Sequence, residues 1–263
     1  MSSLPRPIFL RVSGGTLARC FFRSLFLQAA WNRRGMQNLG FAYAIDPALC
    51  ALYRADPERR REALGRHLGL FNCHPYAAAA ILGGAIYHEE RVAGGVEPPS
   101  APLHYKATLQ GPLAAIGDGF FWTALRPFFG ATAALGALLF GWPAVAIALA
   151  VYNAIHLTLR IAFFKEGYRR GDAIVDVLAE LSLPALADRL RLGAAGLCGL
   201  SAVAVASRAD NLSRAGTLAV ATAAALVGYL ALARGARLLP AAYAAILAGV
   251  GTALAVGRIH GRL

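Results

Sequence analysis

The chain has 263 residues, 57% of them hydrophobic and 15% charged, with a mean hydropathy of +0.52. A soluble domain averages about 45–50% apolar and about 25% charged residues, and one this apolar would expose large sticky patches. That composition excludes an ordinary soluble enzyme and points to lipid as the solvent.

The 26 Lys and Arg against 14 Asp and Glu give a net charge of +12. The basic residues flank apolar stretches instead of interleaving with stacking aromatics. Nucleic acid is thereby set aside as a partner, and membrane lipid is favoured, because anionic headgroups attract arginine. The four cysteines, Cys20, Cys50, Cys73 and Cys198, have no metal-ligand spacing and read as small buried hydrophobes.

Residues 1–66 form a basic amphipathic region with eleven arginines. The first apolar run, Ile8-Phe9-Leu10, stops at Arg11, short of the roughly 7–15 residues of a signal-peptide core. The region is expected to stay attached and, by the positive-inside rule, cytoplasmic. Leu17–Met36 is read as a helix lying in the membrane interface: Phe21, Leu25 and Gln28 repeat at helical spacing, as do Phe22 and Phe26. Asp46-Pro47 and Asp56-Pro57 each offer a cap and a first-turn proline, so a helix is expected to start at each.

Residues 67–172 read as a membrane core of broken or re-entrant helices. Leu68–Tyr87 has no charged side chain, and about 20 apolar residues can span a bilayer. But Asn72, His74 and Pro75 near its start predict a broken helix or a hairpin dipping into the membrane. The Gly- and Pro-rich stretch Val92–Leu103 reads as a loop. Gly111-Pro112 and Gly117-Asp118-Gly119 predict a second interruption at membrane depth. Pro127–Leu159 is split by Gly141-Trp142-Pro143 into two embedded segments.

Residues 173–263 read as amphipathic and Ala-rich transmembrane helices. Asp172–Arg191 is one amphipathic helix or two, broken at Pro184. Leu192–Ser207 is apolar but short. Ala215–Ala233 and Leu238–Gly257 are uncharged and long enough to span alone. The predicted fold class is therefore all-α, a polytopic integral membrane protein.

Several fragments recur in one order. They are Phe26-Leu27-Gln28-Ala29-Ala30-Trp31-Asn32, then Met36-Gln37-Asn38-Leu39-Gly40-Phe41-Ala42-Tyr43, Pro47-Ala48-Leu49 and Leu52-Tyr53. After them come Arg66-His67-Leu68, Phe71-Asn72, Pro75, Glu89-Glu90 and Lys106. Last are Gly111-Pro112-Leu113-Ala114-Ala115-Ile116-Gly117-Asp118 and Phe121-Trp122, with Gly167-Tyr168 and Gly171 downstream. Across roughly residues 17–172 the chain resembles the IID component of the mannose/fructose/sorbose-family phosphotransferase system (PTS). It departs from the family pattern at Ala115, at Gly119 and in Asn72-Cys73-His74-Pro75.

The resemblance implies a subunit that works with a IIC membrane subunit, in a hetero-oligomer of the bacterial inner membrane, to carry in a sugar that IIB phosphorylates, with IIA upstream. It implies no cofactor, no phosphorylated residue and no independent catalytic centre on this chain. The departures keep a second reading open, a non-transporting IID-like protein that docks PTS components and reports their state.

A sugar site needs amides and carboxylates whose hydrogen bonds replace lost water. Asn72 and Asp118 lie on the two interrupted segments and are candidates for the translocation path. For Asp118 a helix-capping turn is the competing reading, while Gly111, Pro112 and Gly117 are read as shaping that loop. Gln28 and Asn32, four apart, would share one helix face and contact sugar or IIC, or merely decorate an interfacial helix. Glu89 or Glu90 would accept from sugar hydroxyls or pair with Lys106, or form a solvated loop face. No Gly-Lys-Ser/Thr phosphate cradle and no His-Glu-x-x-His pattern is present. His74, beside Pro75, reads as a turn-stabilising residue.

Overall fold

A computed structural model describes residues 12–208 and scattered positions beyond. The N-terminal apolar run and all but scattered positions of the two expected spans at 215–233 and 238–257 lie outside the described residues. Among those described, the regular elements are helices, and the pairings outside them are two isolated bridges, Asn32 with Met36 and Met36 with Phe71. The all-α expectation holds. The chain divides into two units, Met1–Phe120 with Ala154–Pro184, and Phe121–Asn153 with Ala185–Leu263.

In the first unit, α1 (Gly14–Ser24) is capped by Ser13, whose hydroxyl accepts from the Thr16 amide. The interfacial helix expected over Leu17–Met36 stops early. After Ser24 the chain tightens into i→i−3 bonds, Leu25 to Phe22, Phe26 to Arg23 and Leu27 to Ser24. The Arg160 guanidinium donates to the Ser24 carbonyl and, at 3.4 Å, to its hydroxyl, which satisfies the helix end. Gln28 and Asn32 therefore do not share a helix face.

Helix α2 (Asn38–Leu52) does not start at Asp46-Pro47 but contains it. Phe41, Ala42, Ala44, Ile45, Ala48 and Leu49 are all buried, and that burial outweighs the one backbone donor Pro47 lacks. Asp46 is not a cap. It receives Arg60 at 2.8 Å and Arg23 at 3.3 Å and so joins three helices. Helix α3 (Pro57–Arg66) does begin as expected, with the Asp56 carboxylate accepting from the Arg59 amide.

Burial pushes the Asp46 carboxyl up, but hydrogen bonds from Arg60, Cys50 and Arg23 outweigh it and hold the group below the usual carboxylate range. With the folded pKa below the unfolded one, its stabilisation is present above the unfolded value and is lost as pH falls through the folded one. Asp46→Asn should lower the unfolding midpoint at neutral pH. The gap to wild type should close as pH falls below about 4, read by fluorescence-monitored melting across pH.

The interruption expected after Leu68 is present: residues 68–77 carry no helix, and α4 runs Ala78–Ala93. The loop after it ends at Ser100. The second interruption is not a loop. Helix α5 (Ala101–Gly117) passes through Gly111 and Pro112 and ends at Gly117, where the backbone widens into a π-helical segment, Asp118–Leu125. Packing of α5 on α4 holds the helix through the proline, which an apolar setting tolerates. Helix α7 (Trp142–Arg170) brings its second half to α4. A Cβ on Gly83 would lie 2.2 Å from the Phe164 carbonyl oxygen, and one on Gly167 2.2 Å from that of Ala80. The two backbones touch there.

In the second unit, α6 (Arg126–Phe140) and the start of α7 meet at Gly141, whose φ of 76° closes a tight turn. This is the split expected at Gly141-Trp142-Pro143. The first unit regains the chain at Ala154, and a single 3-10 turn (Gly171–Ala173) leads into α8 (Ile174–Glu180). Helix α9 (Leu183–Arg208) then carries Pro184 in its first turn; the break falls earlier, at Ser182, with φ 45°. The expected apolar stretch 192–207 lies within α9. Cys20 and Cys73 are buried as expected, but Cys50 is half-buried and Cys198 exposed.

Candidate functional site

Glu89 organises the first of two polar clusters, and it is the buried one. Its carboxylate is fully buried and accepts from the Tyr53 hydroxyl at 2.8 Å and the Arg66 guanidinium at 2.9 Å. His67 Nε2 lies 2.9 Å away, and its other ring nitrogen is 3.4 Å from Lys106 Nζ. Lys106 therefore meets Glu89 through His67. Its ammonium also sits 4.3 Å and 5.4 Å from the ring centroids of Phe41 and Phe71, contacts that favour a buried cation. Glu90 turns elsewhere, accepting from the Val12 amide and the Tyr168 hydroxyl, each at 2.6 Å. Both carboxylates belong to α4, not to a solvated loop.

The second cluster surrounds the segment before α4. The Asn72 amide donates to Gln110 Oε1 on α5 at 3.3 Å. His74 Nδ1 accepts from the Tyr76 amide at 3.2 Å, which is the turn-stabilising contact expected of it. The Tyr76 ring stacks on His156, with centroids 4.3 Å apart and planes within 9°. Arg160, one turn further along α7, lies 5.8 Å from the same ring. Gly117 packs so closely on His74 that a Cβ would come within 2.3 Å of its Cβ, and half-buried Asp118 follows directly. Asn72 and Asp118, far apart in sequence, thus border one loop.

The 68–73 segment is held in place by amides. Asn32 Oδ1 accepts from the Gly35 amide at 2.8 Å, and its Nδ2 donates to Asn38 Oδ1 at 2.9 Å. Asn38 in turn donates to the Leu68 carbonyl, and Gln37 Oε1 accepts from the Cys73 amide at 3.0 Å. Asn32 serves this knot. Gln28 is exposed on the preceding turns.

Sequence reasoning missed Tyr76, Gln110, His156 and Arg160. Two polar residues four apart in an apolar helix were the available signal for the last pair, since such residues in a membrane segment point to function or to pairing.

Two helical stretches, Ala101–Phe140 and Trp142–Ala202, are long and apolar enough to cross a bilayer. Only 11% and 17% of their most apolar windows is buried, so they are not the core helices of a soluble fold. Large side chains such as Phe140, Trp142 and Ile147 stand exposed on them. Apolar surface of this length left open on helices fits a lipid surrounding.

The family model of the PTS mannose/fructose/sorbose family IID component matches residues 11–209. The chain belongs to that family. It is 38% identical over 164 residues to the mannose-specific EIID component of Escherichia coli K12, covering 59% of this chain and 55% of that protein. To the fructose permease IID component of Bacillus subtilis it is 38% identical over 164 residues, covering 60% and 58%. The sorbose-specific EIID component of Klebsiella pneumoniae is 32% identical over 174 residues, at 63% and 60%. The matches thus span little more than half the length of these relatives.

A chain of the cryo-EM structure of the mannose transporter ManYZ with microcin E492 superposes with a TM-score of 0.59 at 32% identity, covering 73% of this chain and 70% of that one. Another, solved as a membrane protein, gives 0.66 at 31% identity, covering 73% and 71%.

Proposed function

We propose that this chain is the IID membrane subunit of a mannose-type PTS permease. With a IIC subunit it translocates a sugar that IIB, supplied by IIA, phosphorylates during uptake. The chain is then a multi-pass protein of the bacterial inner membrane with its N-terminus in the cytoplasm. The observation that carries this reading is the meeting of the non-helical 72–76 segment with the α-to-π transition at Asp118, on a stretch apolar enough to span the bilayer. Irregular backbone at that depth is tolerated where it lines a cavity or is buried in protein, and π segments recur at functional sites. Asn72 and Asp118 supply the amide and carboxylate that a sugar needs. Asn32 supports that path through the amide knot that holds the 68–73 segment; Gln28, Glu89 and Glu90 lie outside it.

The test is uptake of labelled hexose in cells that hold the partner genes but lack this one, with and without complementation. Asp118→Asn should lower uptake by about tenfold, the cost of one lost hydrogen bond to substrate, at unchanged membrane abundance. Undiminished uptake in the deleted cells would turn the protein into a docking or regulatory subunit.

A further inference from the structure

The end of α1, the turns after it and the start of α2 present an apolar surface that the fold leaves open. Phe22 and Phe26, four residues apart, are 63% and 61% exposed, and Trp31 is 53% exposed. Beside them an open groove of about 380 Å³ is lined by Phe26, Ala29, Ala30, Leu39, Gly40 and Tyr43. Three of the lining residues are Ala or Gly, which leaves room between the larger rings. Gly40 is required there, because a Cβ would lie 2.0 Å from the Leu27 carbonyl oxygen.

Arginines lie close to this groove, one in space and two in sequence. The Arg23 guanidinium sits 4.5 Å from the Tyr43 ring centroid. Arg33 and Arg34 follow Ala30 by three and four residues and are exposed. From Gly14 to Asp46 the chain carries four arginines and a single carboxylate.

We propose that this groove is a specific site for an anionic phospholipid, with one acyl chain along Phe26, Ala29, Ala30 and Tyr43 and the headgroup phosphate at Arg33 and Arg34. An unbranched flexible chain suits a shallow groove with small walls. Exposed Trp and Tyr mark headgroup depth. Guanidinium groups bind phosphate in a two-pronged fashion, and a zwitterionic headgroup would bring its own cation towards them. Charge complementarity favours an anionic lipid over a wholly apolar protein helix, which would leave the nearby arginines unmatched. The proposal rests on the membrane placement of the chain and not on transport.

The test uses the full chain purified with its membrane partners, stripped of lipid, and titrated with phosphatidylglycerol or phosphatidylcholine under native mass spectrometry. One phosphatidylglycerol per chain should be retained, and phosphatidylcholine should not. Ala30→Trp, which fills the groove from an exposed position, should remove the adduct. Arg33→Gln with Arg34→Gln should weaken it on the order of tenfold or more. Elution volume and circular dichroism confirm that the variants fold. Equal retention of the two lipids, or an adduct untouched by Ala30→Trp, overturns the proposal. So does efficient cross-linking of Ala30→Cys to a partner protein in native membranes, which would assign the groove to that protein. Any of these with uptake intact leaves the transport reading standing, whereas a wild-type chain absent from the membrane fraction sinks both.

Discussion

Glu89→Gln should lower the stability of the chain by about 3–5 kcal/mol, the usual penalty for removing one partner of a buried ion pair. Arg66 would then keep its charge, and the Lys106 amine its burial, in a site where the counter-charge is gone. Side-chain exposure at the Arg66–Glu89 pair is 11% and 0%, so water cannot make good the loss. The measurement is thermal unfolding of the purified complex in mild detergent, followed by tryptophan fluorescence. Adding Lys106→Met to Glu89→Gln should recover part of the stability, because it removes the cation left without a partner, and the pair should be strongly non-additive. Glu90→Gln is the comparison. Glu90 accepts from the Val12 amide and the Tyr168 hydroxyl, and its replacement should cost about 1–3 kcal/mol. Equal melting of Glu89→Gln and wild type would show that the cluster is dispensable.

The second large effect is expected at the crossing of α4 and α7. Gly83→Ala should cost about 3 kcal/mol or more, at or beyond the upper end of overpacking penalties. Its Cβ would meet main-chain oxygen, which cannot rotate away as a side chain can. Gly167→Ala should cost a similar amount. The double variant should cost less than the two combined, since one separation of the helices accommodates both methyl groups. Gly65→Ala provides the contrast: nothing lies within 4 Å of a Cβ there, and α3 should gain slightly from the better helix former. The same melting assay reads all four variants.

Membrane character and helical class were legible because both are carried by long runs. The start of α3 was legible because Asp56-Pro57 is a local signal, and the turn at Gly141 because a glycine between two apolar runs has few other uses. What failed was decided by contacts distant in sequence. Asp46-Pro47 has the same local form as Asp56-Pro57, yet burial of Phe41 and Ile45 carries α2 straight through it. The helix expected to reach Met36 ends at Ser24, where Arg160 arrives from 136 residues away. Gly111-Pro112 looks like a breaker, but packing on α4 keeps α5 intact. At the candidate site, Asn72 and Asp118 stood out in the sequence as polar groups within apolar runs, whereas the structure leaves Asn72 exposed and Asp118 half-buried. Glu89 was noticed as a charge, but no spacing rule could reveal that His67 would stand between it and Lys106.

The Glu89 cluster also bears on biogenesis. Tyr53, Arg66, His67, Glu89 and Lys106 all fall within a span of about fifty residues in the first half of the chain. Every member has therefore emerged from the ribosome before α7 has been translated. The Arg160 tie to Ser24 and the Tyr168 tie to Glu90 can form only afterwards. Short-range closures cost less loop entropy than long ones, so a nascent chain can neutralise its most expensive charges first and leave the late-made helix to clip onto a finished platform.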